Sequence, residues 1–300
     1  MLSPELLLDA HAVLGEGPLW HPRRHELFWV DIEGHAVHRT NVASKQDVLI
    51  PVGEQVGCIV PAGDRLLLMG LRSGFAVLDL ETGRRAHIAN PEGHLPDNRF
   101  NDGKCDPAGR FWAGTMAISE AEGQGSLYCL STALAVTCKV PGVSVSNGLA
   151  WSLDGKTMYY IDSPTRRVVA YDYDEATGAI DHARGVYEVP PGWGFPDGMT
   201  IDAEGCLWVA LWDGFKAIHV DPESGRLIGE IPMPVARPTS CAFGGPGFDE
   251  LYITSASIHL TPEQRAAQPH AGGVFVCRPG VAGLPAAEFR GIAALERLIA

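Results

Sequence analysis

The chain has 300 residues, and 36 acidic against 23 basic side chains leave it with a formal charge of −13. Its basic residues gather no further than pairs such as Arg23-Arg24, Arg84-Arg85 and Arg166-Arg167, so nucleic acid and anionic membrane surfaces are excluded as expected partners. The seven cysteines show no C-x-x-C spacing and an odd number cannot all pair within one chain, which points to a reducing, cytoplasmic setting. The start, Met1 to Asp9, lacks a cationic segment and its apolar run is broken by Asp9, so neither a signal peptide nor a membrane span is expected.

Taken in order, the chain repeats itself. Apolar strand cores fall at Leu27-Phe-Trp-Val30, Leu66-Leu-Leu-Met69, Phe111-Trp-Ala113, Met158-Tyr-Tyr-Ile161, Leu207-Trp-Val-Ala210 and Leu251-Tyr-Ile-Thr254. Turn signals precede most of them, and further β-like runs such as Gly74 to Asp79, Arg167 to Asp172 and Lys216 to Asp221 follow several. Each repeat therefore supplies three or four short antiparallel strands. The expected architecture is all-β, a six-bladed β-propeller with a central channel, forming one domain over residues 1–291. A ring of sheets has no open edge only if its ends meet, so Glu5-Leu-Leu-Leu8 should complete the blade built from Leu251–Thr254 and Gly273–Cys277. Ser257 to Ala271 reads as an irregular rim loop, and residues 292–300 as a short tail that can be helical.

The most informative stretch is Pro196-Asp-Gly-Met199. Pro fixes φ and Gly allows positive φ, so the pair can hold the Asp197 carboxylate at a tight bend where a strand begins, with Asp202-Ala-Glu-Gly205 as the following hairpin turn. The innermost strands of a propeller start at one face, around the shared channel, so matching positions in successive repeats converge. Those positions hold Glu16 in Gly15-Glu-Gly, Asn101 in Phe100-Asn-Asp-Gly103, Asn147 in Ser146-Asn-Gly and Asp197. Weaker polar candidates stand at Gly53 to Cys58 and Pro238 to Phe243. Two carboxylates and two amide oxygens suit a hard divalent cation such as Ca²⁺, Mg²⁺ or Mn²⁺. The same Asp-Gly and Asn-Gly pairs also make ordinary turns, and spacing alone does not choose between the two.

The set Gly15-Glu-Gly-Pro-Leu-Trp20, Arg99-Phe-Asn-Asp-Gly-Lys104, Trp112-Ala-Gly-Thr-Met116, Ser146-Asn-Gly-Leu149, Tyr160-Ile-Asp-Ser163, Pro196-Asp-Gly-Met199, Ile201 to Gly205 and Thr239 to Gly245 resembles the SMP-30/gluconolactonase/regucalcin-like family. The resemblance runs in order from about Leu7 to about Gly291. It implies a six-bladed propeller with one divalent metal in the channel (Ca²⁺, Mn²⁺, Mg²⁺, Zn²⁺ or Fe²⁺), hydrolysing sugar lactones. Carried over residue by residue, Glu16, Asn147 and Asp197 fall on the family's metal ligands, and Arg99 and Asn101 on its substrate-contacting pair. After Gly114-Thr-Met116 this chain departs from similar animal members: Ser119 stands where they carry a substrate-binding glutamate.

On that reading the protein is a carboxylic ester hydrolase opening an aldonolactone, such as gluconolactone or a pentonolactone, to its acid. Asp197 is then both metal ligand and general base for the attacking water, and Arg99 holds substrate oxygens through its rigid donors. Arg99 can instead pair with Asp97 or Asp102 at the surface. Two other functions stay open: a lactone or ester hydrolase of wider scope, and a calcium-binding propeller without turnover. The expected partner is a small-molecule sugar lactone, and the expected state a monomer or small homo-oligomer. His21 and His25 lack an H-E-x-x-H context and no G-x-S-x-G occurs, so zinc-protease and serine-nucleophile chemistry are disfavoured. Trp193 and Trp212, close to the channel motif, are candidate walls of the pocket.

Overall fold

The computed structural model describes residues 3–300. The 24 strands form six four-stranded antiparallel sheets, and strand β1 (Glu5–Leu8) belongs to the last of them. The first comprises β2 (Gly15–His21), β3 (Glu26–Asp31), β4 (Ala36–Asn41) and β5 (Gln46–Pro51). The second comprises β6 (Val56–Ala62), β7 (Leu66–Leu71), β8 (Gly74–Asp79) and β9 (Arg85–Ala89), and the third β10 (Asn98–Cys105), β11 (Phe111–Ala117), β12 (Gly125–Leu130) and β13 (Val136–Val143). In the fourth come β14 (Ser146–Trp151), β15 (Thr157–Asp162), β16 (Arg167–Asp174) and β17 (Ala179–Glu188). The fifth holds β18 (Phe195–Ile201), β19 (Leu207–Trp212), β20 (Lys216–Asp221) and β21 (Arg226–Pro232). The last sheet, in the order β1-β24-β23-β22, joins β22 (Pro238–Gly244), β23 (Glu250–Ser255) and β24 (Val274–Cys277) to the N-terminal strand. The protein is a six-bladed β-propeller.

Strands β2, β6, β10, β14, β18 and β22 pack against one another in sequence, and β22 returns to β2, so these six line the axis. Every second strand lies between two neighbouring blades and reads as a continuous apolar run because both of its faces are covered. In β3, Leu27, Phe28, Trp29 and Val30 are fully buried, and each such aliphatic or aromatic side chain contributes roughly 1.5–3 kcal/mol. The outermost strands β5 and β21 face solvent along much of their length, with Leu49 and Ile228 exposed.

Buried aspartates lock the blades from within. Asp202, beyond β18, accepts bonds from the Glu204 and Cys206 N–H groups on Oδ1 and from Trp208 Nε1 on Oδ2, while the His219 ring, stacked 3.9 Å from Trp208, meets the same Oδ2 at 2.9 Å. Asp106 does the same work two blades earlier with Arg110, Trp112 and Tyr173. The turn at Asp202 to Gly205 is thus as expected. The segment Ser257 to Ala271 is not wholly irregular, since it carries α1 (Pro262–Ala267), begun by a reciprocal cap between Thr261 and Gln264. Helix α2 (Ile292–Ile299) docks Leu295 and Ile299 under the second and third blades.

All seven cysteines are free. No helix among the described residues is long and apolar enough to cross a membrane.

Candidate functional site

The positions read as strand entrances lie inside the innermost strands, and each coincides with a break in register. Pairing slips between Glu16 and Leu19, Phe100 and Gly103, Asn147 and Leu149, and Pro196 and Met199. Such a bulge inserts an unpaired residue and re-aims its side chain, and here it does so at the same level around the axis. Asp197 therefore sits within β18 and not at a bend ahead of it. Gly198 serves proximity, not a left-handed backbone: a Cβ there would lie 2.1 Å from Ser240 Oγ on the next inner strand. Gly17, by contrast, does take positive φ, at +52°. The loops feeding two of these strands are pinned from below. Asp31 accepts the Val13 and Leu14 N–H groups ahead of Glu16, and Asp162 accepts those of Ser144 and Val145 ahead of Asn147.

Glu16, Arg99, Asn101, Asn147 and Asp197 line one cavity of about 440 Å³ at the start of the channel, and all five are buried. A relay of hydrogen bonds orients the amides. Arg99 Nη1 donates to Asn101 Oδ1 at 2.6 Å, and Asn101 Nδ2 donates to Asn147 Oδ1 at 3.0 Å and to the Ser146 carbonyl at 2.8 Å. Asn147 Nδ2 then donates to Ser163 Oγ at 2.8 Å, whose hydroxyl donates to the Pro196 carbonyl at 2.6 Å. Each Asn side chain is thereby held with its oxygen and nitrogen assigned. Arg99 makes no carboxylate pair with Asp97 or Asp102; it is buried and bonded to Asn101 and the Phe100 carbonyl.

The two carboxylates are poorly compensated. Burial, then the charge of Asp102, pushes Glu16 up to about 8, against a stabilising bond from the Gly17 N–H at 3.0 Å. Burial, then Glu16 and Asp102, drives Asp197 well above the usual carboxylate range, and its Oδ1 is buried with no hydrogen-bond partner. Burial also lowers Arg99, against the pull of surrounding acids. An orphaned carboxylate oxygen beside a second buried acid is costly unless a cation meets it. Oxygen donors from Glu16, Asn147 and Asp197 fit a hard divalent ion on that chemistry.

Several wall residues are not among the site residues expected from the sequence. Met116, Glu120, Ser163 and Phe195 line the cavity, whereas Ser119 does not; Glu120, at φ +57°, takes the place beside it. Trp212 is part of the wall, with Arg237 stacked over it, but Trp193 is not and packs beneath Lys216 in the fifth blade. Asp202, Cys206 and His219 bring one possible ligand atom each within 4.8 Å of one another, a spacing a metal can use. Both Asp202 oxygens, however, are already spent on the lock described above, which makes the cluster a blade fastener.

A family model described as SMP-30/Gluconolactonase/LRE-like region matches residues 14–257. The chain belongs to this family. Regucalcin of Gallus gallus is 44% identical over 287 residues, which cover 93% of this chain and 95% of that protein. A Bacillus subtilis (strain 168) protein named "Putative sugar lactone lactonase YvrE" is 39% identical over 283 residues, covering 94% and 97%. Among solved structures, a calcium-binding protein, regucalcin, from Agrobacterium tumefaciens superposes with a TM-score of 0.93 at 29% identity, covering 96% of this chain and 98% of that one.

Proposed function

We propose that the protein is a metal-dependent sugar lactonase that opens an aldonolactone to the aldonic acid. The observation that carries this reading is the buried Asp197 carboxylate, whose Oδ1 has no partner, sharing a cavity with Glu16, Asn147 and Arg99. Family membership and the lactonase name of the Bacillus relative point the same way. Glu16, Asn147 and Asp197 would hold one divalent ion, which when bound supplies Lewis-acid polarisation of the lactone carbonyl and offsets the repulsion between the two acids.

The residues then divide the work. Asp197 takes a proton from water as the water oxygen attacks the carbonyl carbon. As the ring C–O bond breaks, Asp197 returns the proton to the leaving alkoxide, so no net proton is held before the acid product ionises. Arg99 spends Nη1 on Phe100 and Asn101, which leaves its Nε and Nη2 hydrogens for substrate oxygens. Asn101, fixed by the relay, sets the second polar contact. Glu120 supplies an acceptor for sugar hydroxyls, next to Ser119, which stands where similar animal members of the family carry a glutamate.

One observation favours wider scope. Leu14, Met116, Val145, Phe195 and Trp212 give the same cavity an apolar side that can carry an alkyl lactone or ester.

Acid release from a panel of aldono-1,4- and 1,5-lactones and alkyl lactones, followed by pH-stat with EDTA treatment and metal add-back, tests the proposal. Hydrolysis of at least one aldonolactone, abolished by EDTA and restored by a divalent ion, is the expected result. Turnover of alkyl lactones alone would replace the sugar with an apolar substrate. Silence on every lactone with retained Ca²⁺ binding would make the protein a non-catalytic calcium-binding propeller.

A further inference from the structure

The axial channel has a second mouth. Downstream of the site residues, all six inner strands contribute to a separate cavity of about 510 Å³, within the range of roughly 300–1,000 Å³ typical of small-molecule sites. Trp20, Ile59, Leu149, Leu153 and Phe243 make its walls apolar, and Leu284 to Ala287 of the C-terminal segment run along it. None of these residues lines the Glu16–Asp197 cavity.

Asp102 and Trp151, each with a buried polar atom that has no protein partner, line this cavity together with Lys104. Asp102 is buried, and its Oδ1 accepts the Gly103 N–H at 2.7 Å while Oδ2 has no partner. The indole N–H of buried Trp151 likewise has none. Lys104 Nζ donates to the Met199 carbonyl at 2.6 Å, a bond that uses one of its three donors. Groups left unsatisfied in a low-dielectric setting are costly, and a ligand that satisfies them recovers that cost. The cavity thus offers an acceptor at Asp102 and donors at Lys104 and Trp151, against an apolar wall.

Charge narrows the ligand. One acid, Asp102, and one base, Lys104, line the same cavity, so an ion of either sign meets a like-charged side chain there as well as an opposite one. An anionic head drawn to Lys104 is repelled by Asp102, and a cationic head drawn to Asp102 is repelled by Lys104. A neutral head that both donates and accepts meets neither penalty.

We propose that this far mouth is a second binding site, for an uncharged amphipathic small molecule with an apolar body and a primary amide or hydroxyl head. Its head donates to Asp102 and accepts from Lys104 or Trp151, and its body lies against Trp20, Leu149 and Phe243. The site does not depend on lactone hydrolysis.

Calorimetric titration of the intact protein with hexanamide, hexanoate and hexylammonium separates the possibilities. Hexanamide should bind at least tenfold more tightly than either ion. Asp102→Asn should turn the preference toward hexanoate and Lys104→Met toward hexylammonium, each by about tenfold. Ala203→Trp, placed at the cavity's exposed rim, should weaken hexanamide at least tenfold while the thermal midpoint stays put, which keeps the test valid if either buried variant fails to fold. Equal affinity for the three probes would overturn the proposal. So would hexanamide binding that survives Ala203→Trp and disappears in Arg99→Ala, because the probe would then sit in the upper cavity.

Discussion

Asp197 stands within β18 and Asp202 just beyond its end, both buried, and their surroundings oppose each other. Asp202 spends both oxygens on backbone N–H groups, an indole and an imidazole, and these partners hold its pKa below the usual value despite burial. Asp197 keeps an oxygen with nothing to bond and is pushed upward by burial and by Glu16. A carboxylate completed by its own blade is part of the frame; one left incomplete at the axis is poised for something from outside. The contrast distinguishes site from scaffold more sharply than acidity or burial, which the two share.

Breaking the incomplete member should cost function and little stability. Asp197→Ala is expected to lower lactone turnover by a factor on the order of 10³ or more, with Asp197→Asn nearly as inactive but retaining more metal, while thermal midpoints measured without metal hold or rise. An Asn variant at full rate would remove Asp197 from the base role. Breaking the complete member should do the reverse: Asp202→Ala leaves Trp208 and His219 without their acceptor and should destabilise by about 3 kcal/mol, read as a drop of roughly 6–12 °C in Tm, with metal affinity of the folded fraction unchanged. Chelation sharpens the same division. Saturating divalent ion at about 100 times its Kd should stabilise the wild type by ~2.7 kcal/mol, Asp202→Asn should keep that increment, and Asp197→Ala should lose most of it by calorimetry. The smallest effect concerns acid. A carboxylate whose pKa is lower folded than unfolded contributes stability above its unfolded value and loses it as pH falls through its folded one. Wild type should therefore show an acid-limb loss below about pH 3.8 that is shallower in Asp202→Asn, measured by urea midpoints from pH 5 to pH 2.

Much of this was legible in the residues. Six apolar runs at regular intervals mark the second strands because neighbouring blades cover both their faces, and Glu16, Asn101, Asn147 and Asp197 stand at equivalent places in successive repeats. What escaped depends on registration between strands distant in the chain. The bulges that swing these side chains inward arise from pairing with the second strand, and Gly198 is required by Ser240, a residue of the next blade. Glu120 and Phe195 enter the cavity through loop and edge geometry, which leaves no periodic trace. Helix α1 is a local event, set by Thr261 and Gln264 within a stretch whose two prolines suggest irregularity.

The four residues of β1 complete a sheet whose other three strands lie at the far end of the polypeptide. During synthesis, this strand leaves the ribosome well before its partners and waits unpaired until the last blade emerges, and only then does the circle shut. Deleting Glu5–Leu8 should leave five blades free to form but unfasten the sixth. Limited proteolysis would register this as early cleavage near β24, long before any cut in the middle of the chain.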